Sequence, residues 1–248
     1  EFFNKYIINI NNIIWKLKKI DIFSDNYKKK LITFENNDEV LFCIIKNHEL
    51  FQILQKSLSK SKYYKKVKKN KNKNYLNNYD LIFNMDHSNL ITKKFFNKKI
   101  VKKYNSRAYT TIIKHEKTLN NIATQIFTKK GPLAFLPISK KETSIVYSIV
   151  NSDDNENINI GDLIKNYNFK YNIKKIEKIE MFKLEFFHLR SYFNKNILAF
   201  GDLLHRIHPL AGQGYNMTLR DIKILNEIIK DKIDLGLPLD SSVNNQFE

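Results

Sequence analysis

Glycine is scarce in this chain: six in 248 residues, the first of them Gly131. A phosphate-cradling GxGxxG turn needs three glycines within six residues, so none exists before Gly131. Proline occurs four times and cysteine once. The lone Cys43 excludes a disulfide framework or a thiolate zinc site within one chain and fits a reducing compartment. With no base beside it, Cys43 is expected to be a small buried apolar residue. No run of about 18 apolar residues occurs, and no signal-peptide pattern is present, so neither a transmembrane helix nor a secretory leader is expected. The chain starts at Glu1 rather than Met and stops at Glu248 in mid-pattern, which reads as a fragment open at both ends.

Arginine is the other shortage. The formal net charge is +18, yet only four of the 43 basic residues are arginine. A charge of that size points to anionic partners such as nucleic acid or a membrane surface. Specific base readers rely on arginine forks, and lysine here accompanies Asn, Ile, Phe and Tyr along the whole chain, as a compositional bias would. Nucleic acid is therefore not an expected partner. The lysine-rich run after Leu58 reads as a solvated loop. Hydrophobic residues make up 42% of the chain, enough for a packed core.

What is present is strand-rich. Ile20 to Phe23 and Leu31 to Phe34 read as strands around the polar turn "SDNYKKK", and Leu41 to Ile45 as a third. Asn47 is the expected N-cap of a helix with Leu50, Ile53, Leu54 and Leu58 on one face. Leu81 to Phe83 reads as a buried strand entering a polar turn. "YTTIIKH", "IATQIF", "LAFLPI" and "TSIVYSIV" have short polar spacers and predict an antiparallel sheet. Pro132 and Pro137 suit strand edges and turns rather than a central strand. A helix is expected through Leu163 and Ile164, and strand character resumes at "FKLEFFHLRSYF". Trp15 reads as a packing residue.

One stretch differs from the rest. In "ILAFGDLLHRIHPLAGQGYNMTLRD", Ile197 to Asp221, three of the six glycines and one of the four prolines fall within fourteen residues. "NILAF" reads as a short buried strand ended by Gly201. From about Gln213 to Lys232 the pattern is helical, with Met217, Ile222, Leu225, Ile228 and Ile229 on one face, and Gly236 and Pro238 as stop signals. Gly212 and Gly214 are free to take unusual dihedrals and to bare N–H groups at a helix N-terminus, where the first donors lack intrahelical partners and the dipole is positive. Asp202, at the end of a strand, is placed to accept hydrogen bonds from ligand hydroxyls. The residues imply either a cradle for a polyhydroxylated group with a partly negative oxygen or simply a tight turn. The His205/His208 spacing lacks the further ligands a metal needs, Arg220 and Asp221 read as a surface or packing pair, and Arg190 is open between a ligand-facing and a surface position.

The same stretch resembles the second flavin fingerprint of the FAD-dependent aromatic-ring hydroxylases, in particular the ubiquinone-biosynthesis branch with its "GDAAH..HP.AGQG.N..L.D" run. "IIKNHELFQILQKSL" and "ATQIFTKKGPLAFLPISKKETSIVYS" resemble further segments of that family in the same order. The resemblance implies an α/β fold: a Rossmann-like FAD-binding domain built from non-contiguous segments, with an inserted, mainly antiparallel β-sheet substrate domain. The portions it implies are residues 1–45 (substrate domain), 46–98 (FAD domain), 99–193 (substrate-binding sheet) and 194–248 (FAD domain).

The resemblance further implies FAD as cofactor, NAD(P)H as electron donor and oxygen insertion into an aromatic ring. The ring would be that of a polyprenylated phenol, in a cytoplasmic protein peripheral to the inner membrane or a ubiquinone-biosynthesis assembly. It assigns Gly201, Asp202, His205, Pro209, Gly212, Gly214, Tyr215 and Asn216 to the flavin, with Asp202 on the ribityl chain and Pro209 over the ring. The family's middle motif, "ADGANSxVR", corresponds to "MDHSNLITK", adding Asp86; His87 replaces a glycine there, a costly change if the backbone is left-handed, and Lys93 replaces an arginine. A flavin enzyme of the same fold with another substrate, and a relative that has lost FAD, are the alternatives.

Overall fold

The computed structural model describes residues 2–25, 29–36, 39–67, 78–150, 159–207 and 212–248. Two compact units are present, each assembled from two separated segments: Glu1–Tyr64 with Asn105–Lys183, and Lys65–Tyr104 with Leu184–Glu248.

The first unit begins with a short helix, α1 (Phe2–Tyr6), and the strands β1 (Ile14–Leu17), β2 (Lys19–Ser24), β3 (Lys30–Glu35) and β4 (Phe42–Ile45). Helix α2 (Asn47–Ser59) follows. After the chain has passed through the second unit, strands β6 (Lys99–His115), β7 (Ile122–Thr128), β8 (Gly131–Pro137) and β9 (Glu142–Val150), helix α4 (Ile160–Tyr167) and strands β10 (Ile173–Ile176) and β11 (Glu180–Leu189) complete it. The sheet runs β6–β9–β8–β7–β2–β3, with β10 on the other edge of β6. The β6–β9, β9–β8 and β8–β7 pairs are antiparallel, as the alternating runs imply. The β2–β7 pair is parallel.

Along β9 every second residue is buried (Thr143, Ile145, Tyr147, Ile149), the period-2 signature of a sheet with one packed face. Those residues form the core with Ile113, Ile126, Leu133, Phe135 and, from α4, Ile160 and Ile164. Trp15 packs and donates its Nε1–H to the Asn120 carbonyl at 2.6 Å.

Several expectations need correction here. β8 has neighbours on both sides, so Pro132 and Pro137 lie in a central strand; they are tolerated because they occupy its second and last positions, where ladder bonds are dispensable. The N-cap of α2 is Lys46, and Asn47 is its first helical residue. Of the face assigned to α2, Leu50 is buried but Leu58 is exposed. Cys43 is exposed, because in the two-stranded β1–β4 ladder it points to the open face.

The second unit holds β5 (Ile82–Asn84), α3 (Leu90–Phe95), the ends of β6 and β11, β12 (Phe193–Asn194), β13 (Ile197–Ala199), β14 (His205–Arg206), α5 (Gln213–Asp234) and α6 (Ser241–Phe247). β12 and β13 form a hairpin whose two-residue turn has Lys195 at φ +54°, and β13 lies parallel to β5. β13 is buried on both faces, which is why its sequence is a continuous apolar run rather than an alternating one. Leu198 and Phe200 pack with Leu225, Ile228 and Val243 of the C-terminal helices. Ile197 and Ala199 pack the opposite way, with Phe96, Leu189, Leu203 and Leu204. In β5 the buried residue is Asn84, while Phe83 is 40% exposed; its short apolar run is only half buried. Among the described residues no helix is long and apolar enough to cross a membrane.

Candidate functional site

The two polar turns that the sequence singles out leave the same ends of adjacent strands. β5 and β13 are parallel, in register from Ile82/Ile197 to Asn84/Ala199, and the ladder closes with Phe200 donating its N–H to the Asn84 carbonyl at 2.9 Å. The Met85–Asn89 turn follows β5, and the Gly201–Leu203 turn, a single turn of 3-10 helix, follows β13. The carboxyl ends of neighbouring parallel strands are where ligands bind in open α/β sheets.

The first turn is built from its own side chains. Buried Asn84 donates to Thr92 Oγ1 (2.8 Å), and Asn89 donates to Asn84 Oδ1 (2.6 Å). Asn89 caps α3 by accepting from the Thr92 N–H (2.8 Å), and the Thr92 hydroxyl donates to the Asp86 carbonyl (2.5 Å). The Asp86 carboxylate accepts from both the N–H and the hydroxyl of Ser88, each at 2.7 Å, so it is engaged in holding this turn. His87 has no positive φ; a side chain fits at that position without the left-handed strain anticipated for it. His87 meets the buried Phe187 ring edge-on at 6.0 Å, and Lys99 and Arg206 lie over that ring at 4.9 and 5.1 Å. Burial, then the positive charge of Arg206, lower the His87 pKa, with Asp202 opposing. Lys93 lies in the exposed last turn of α3.

At the second turn Gly201 is buried with φ +62°, a conformation costly for any residue with a Cβ. A Cβ there would lie 4.0 Å from the Thr218 methyl of α5, so the turn sits against that helix. Asp202 is exposed, and among the described residues its carboxylate takes no hydrogen bond or ion pair. α5 starts from Gly212 at φ +63°, and among the described residues no side chain caps its first amides. Gln213, Tyr215 and Asn216 are exposed. Thr218 beside Gly201, Ile207 beside Gly214 and the His205–Asp221 bond bring the Gly201–Ile207 segment against α5; Asp202 follows Gly201 in that turn, Gly212, Tyr215 and Asn216 open α5, and Asp86 lies on the adjoining strand end. Pro209 and His208 lie outside the described residues.

Gly212 and Gly214 differ in kind. Gly212 needs its left-handed backbone; Gly214 is helical, and a Cβ there would meet only Ile207 Cγ1 at 3.7 Å, ordinary contact, so the expectation of unusual dihedrals holds for Gly212 alone. Gly212→Ala is expected to destabilise the chain by about 1–2 kcal/mol, read as a lower midpoint in thermal unfolding, whereas Gly214→Ala should leave the midpoint near that of the parent.

His205 is 6% exposed and donates from Nε2 to Asp221 Oδ2 at 2.7 Å. The bond to Asp221, working against burial, raises its pKa. This corrects the reading of Asp221 as a surface or packing pair with Arg220. A signal was available: Met217, Asp221 and Leu225 recur every four residues, placing an acid on the buried stripe of the helix. Among the described residues no group of three or more His, Cys, Asp or Glu is arranged to hold a metal. Arg190 is exposed.

This arrangement sits in a fold already seen in flavoproteins. The chain superposes on PqsL of Pseudomonas aeruginosa, a probable FAD-dependent monooxygenase, with TM-score 0.70 and 12% identity over 95% of this chain and 73% of that one. It superposes on Klebsiella pneumoniae HpxO, solved with FAD and uric acid, with TM-score 0.69 and 10% identity over 100% of this chain and 71% of that one. The fold is thus the mixed α/β fold of FAD-dependent monooxygenases.

In sequence, its homologues are hydroxylases of ubiquinone biosynthesis. The zebrafish (Danio rerio) mitochondrial ubiquinone biosynthesis monooxygenase COQ6 is 28% identical over 155 residues, 46% of this chain and 32% of that protein. The 3-demethoxyubiquinol 3-hydroxylase of Escherichia coli K12 is 32% identical over 118 residues, 45% of this chain and 30% of that protein. The match thus spans about a third of these relatives' length. No family model matches the chain.

Proposed function

We propose that this protein is an FAD-dependent monooxygenase that hydroxylates an aromatic ring, with NAD(P)H as electron donor and a polyprenylated phenol of ubiquinone biosynthesis as substrate. The observation that carries this reading is an exposed Asp202, with no hydrogen bond or ion pair among the described residues, and a first turn of α5 that no described side chain caps, beside the carboxyl ends of two parallel strands. Such a carboxylate accepts hydrogen bonds from sugar-alcohol hydroxyls, and such amides stabilise partial negative charge on a ring oxygen. Those are the two requirements of the ribityl chain and the isoalloxazine, so the residues present fit FAD.

Asp202 would hold the ribityl hydroxyls, and the backbone at Gly212, Gly214, Tyr215 and Asn216 would face the ring. Bound there, FAD supplies the redox and oxygen chemistry. The chain's own contribution is orientation and electrostatics: the helix N-terminus favours negative charge on the bound group, and the apolar packing of Leu198, Phe200, Leu203 and Leu204 beneath the turn keeps its floor dry. A GxGxxG turn, which would grip the diphosphate of such a cofactor, is not among these 248 residues, so the affinity of this chain rests on the flavin-ring half. A prenylated substrate is delivered from lipid, and we place the protein at a membrane surface, where its lysines meet anionic headgroups.

The test is a titration of the chain with FAD, following quenching of flavin fluorescence, and then NAD(P)H oxidation with a short-chain prenylated phenol. Saturable binding and a perturbed flavin spectrum are expected of this chain, which alone is expected to be inactive; a hydroxylated product is expected from a protein that also carries a GxGxxG turn. A chain that leaves the flavin spectrum unchanged at every concentration would end the reading. A bound flavin that accepts soluble aromatics but no prenylated phenol would remove the ubiquinone assignment alone.

A further inference from the structure

His205 is a buried imidazole that the proposed chemistry does not use. It opens β14, directly opposite His188 of β11, and among the described residues its side chain hydrogen-bonds the Asp221 carboxylate, two turns into α5. Asp221 shares its helix face with Leu225 and Ile228, both buried against β13. A carboxylate on an apolar stripe is costly unless paired, and the pair is completed by a residue from the other half of the motif. Among the described residues, this is the one hydrogen bond that joins the segment Gly201–Arg206 to α5.

The surroundings keep the pair in place. The His188 ring stacks on His205 at 6.3 Å and 18°. His188 is fixed in turn by Nδ1 to the Leu189 carbonyl (2.8 Å) and by the Tyr192 hydroxyl at its Nε2 (3.0 Å). The Leu189 N–H donates to the Leu204 carbonyl at 3.0 Å, tying β11 to the residue before His205.

We propose that His205 and Asp221 are positioning residues, a polar clasp that holds the Asp202 turn and the first turn of α5 at the separation a flavin needs. The inference rests on the flavin reading for its purpose, though not for its geometry. Neither side chain touches the ligand; Asp202 and the α5 amides do, and the clasp sets their spacing. In this it departs from the family resemblance, which would put His205 itself among the flavin contacts.

The groups facing His205 are the carboxylates of Asp221 from α5 and Asp202 from the 3-10 turn and the His188 ring from β11, with the Tyr192 hydroxyl behind His188. The imidazole pKa is raised, above all by the bond to Asp221. The ion pair is therefore complete below the ordinary histidine value and is lost as pH rises through the raised one. Flavin affinity should fall over that same interval.

Two measurements on the 248-residue chain test the clasp. The first needs no ligand: amide hydrogen exchange over the hydrogen-bonded turns of α5 on either side of Asp221, Met217 to Leu225, in the parent chain, His205→Ala, Asp221→Asn and the double variant. Asp221→Asn keeps the side-chain shape and guards against simple misfolding of the alanine variant, with thermal midpoints measured alongside. Exchange at these amides should accelerate roughly tenfold in each single variant, the scale of one lost charge-assisted bond, and the double variant should add little more. The second is FAD affinity against pH, expected to decline on the alkaline side in the parent and to be weaker and flat in His205→Ala.

Unchanged exchange in both single variants, or additive effects, overturns the clasp. So does FAD affinity equal to the parent's in every variant. A parent chain that binds no FAD, with exchange still accelerated in the variants, leaves the clasp standing and refutes the flavin reading instead.

Discussion

Asp202→Ala should weaken FAD binding by one to two orders of magnitude while leaving the fold intact. The carboxylate is exposed and has no hydrogen bond or ion pair among the described residues, so removing it strips no internal partner. A hydrogen bond to a charged group is worth about 1.5–3 kcal/mol, which is roughly ten- to a hundredfold in affinity. Asp202→Asn retains one acceptor oxygen and should lose less. Fluorescence titration gives the affinity and thermal unfolding gives the control. Asp86→Ala provides the contrast, because the Asp86 carboxylate is already engaged by Ser88; its loss should act through the turn and lower the unfolding midpoint as well. Equal affinities for the parent and Asp202→Ala, with both folded, would mean that Asp202 does not hold the cofactor.

Much of this was legible in the sequence because it depended on local pattern. "NILAF" is continuous and apolar, and β13 is buried on both faces. The spacing of Met217, Ile222, Leu225 and Ile228 marks one face of α5, and of the two glycines expected to take unusual dihedrals Gly212 does and Gly214 does not. The antiparallel order of β7, β8 and β9 follows from short polar spacers between β-prone runs. What escaped depends on which neighbour a strand acquires. Cys43 and Phe83 sit in apolar runs that periodicity alone reads as buried; one faces out of a two-stranded ladder and the other is exposed beside β13. β8 became central although its prolines argued for an edge, because the two rings occupy end positions. Asp221 was discounted for a different reason. A polar residue on a buried stripe means little until its partner is known, and His205 is sixteen residues away in sequence.

The largest loss of stability is expected at Gly131, far in sequence from the flavin motif. Gly131 has φ +140°, and a Cβ built on it would lie 2.1 Å from the Ser148 carbonyl oxygen. That oxygen is backbone of β9, so no rotamer change relieves the clash. Gly131 opens β8 after a two-residue turn, paired with Thr128. The Thr128 hydroxyl donates to the Gly131 carbonyl (2.7 Å) and shares a hydrogen bond with the Tyr147 hydroxyl (2.9 Å), while the Val150 N–H donates to the Lys130 carbonyl. Moving Gly131 away from β9 disturbs all of these, and β8 transmits the shift to strands on both sides. Backbone strain of about 1–3 kcal/mol and overpacking of about 1–3 kcal/mol act together, so Gly131→Ala should cost roughly 3–5 kcal/mol. In a chain of this size that corresponds to a fall of about 6–20 °C in the unfolding midpoint. Gly236→Ala is the matched comparison: its φ is +66° but nothing lies within 4 Å of the added carbon, so only conformational strain of about 1–2 kcal/mol remains. If calorimetry gave the two variants the same midpoint, the steric part of the argument at Gly131 would be wrong, and the close approach of β8 to Ser148 would not be what requires glycine there.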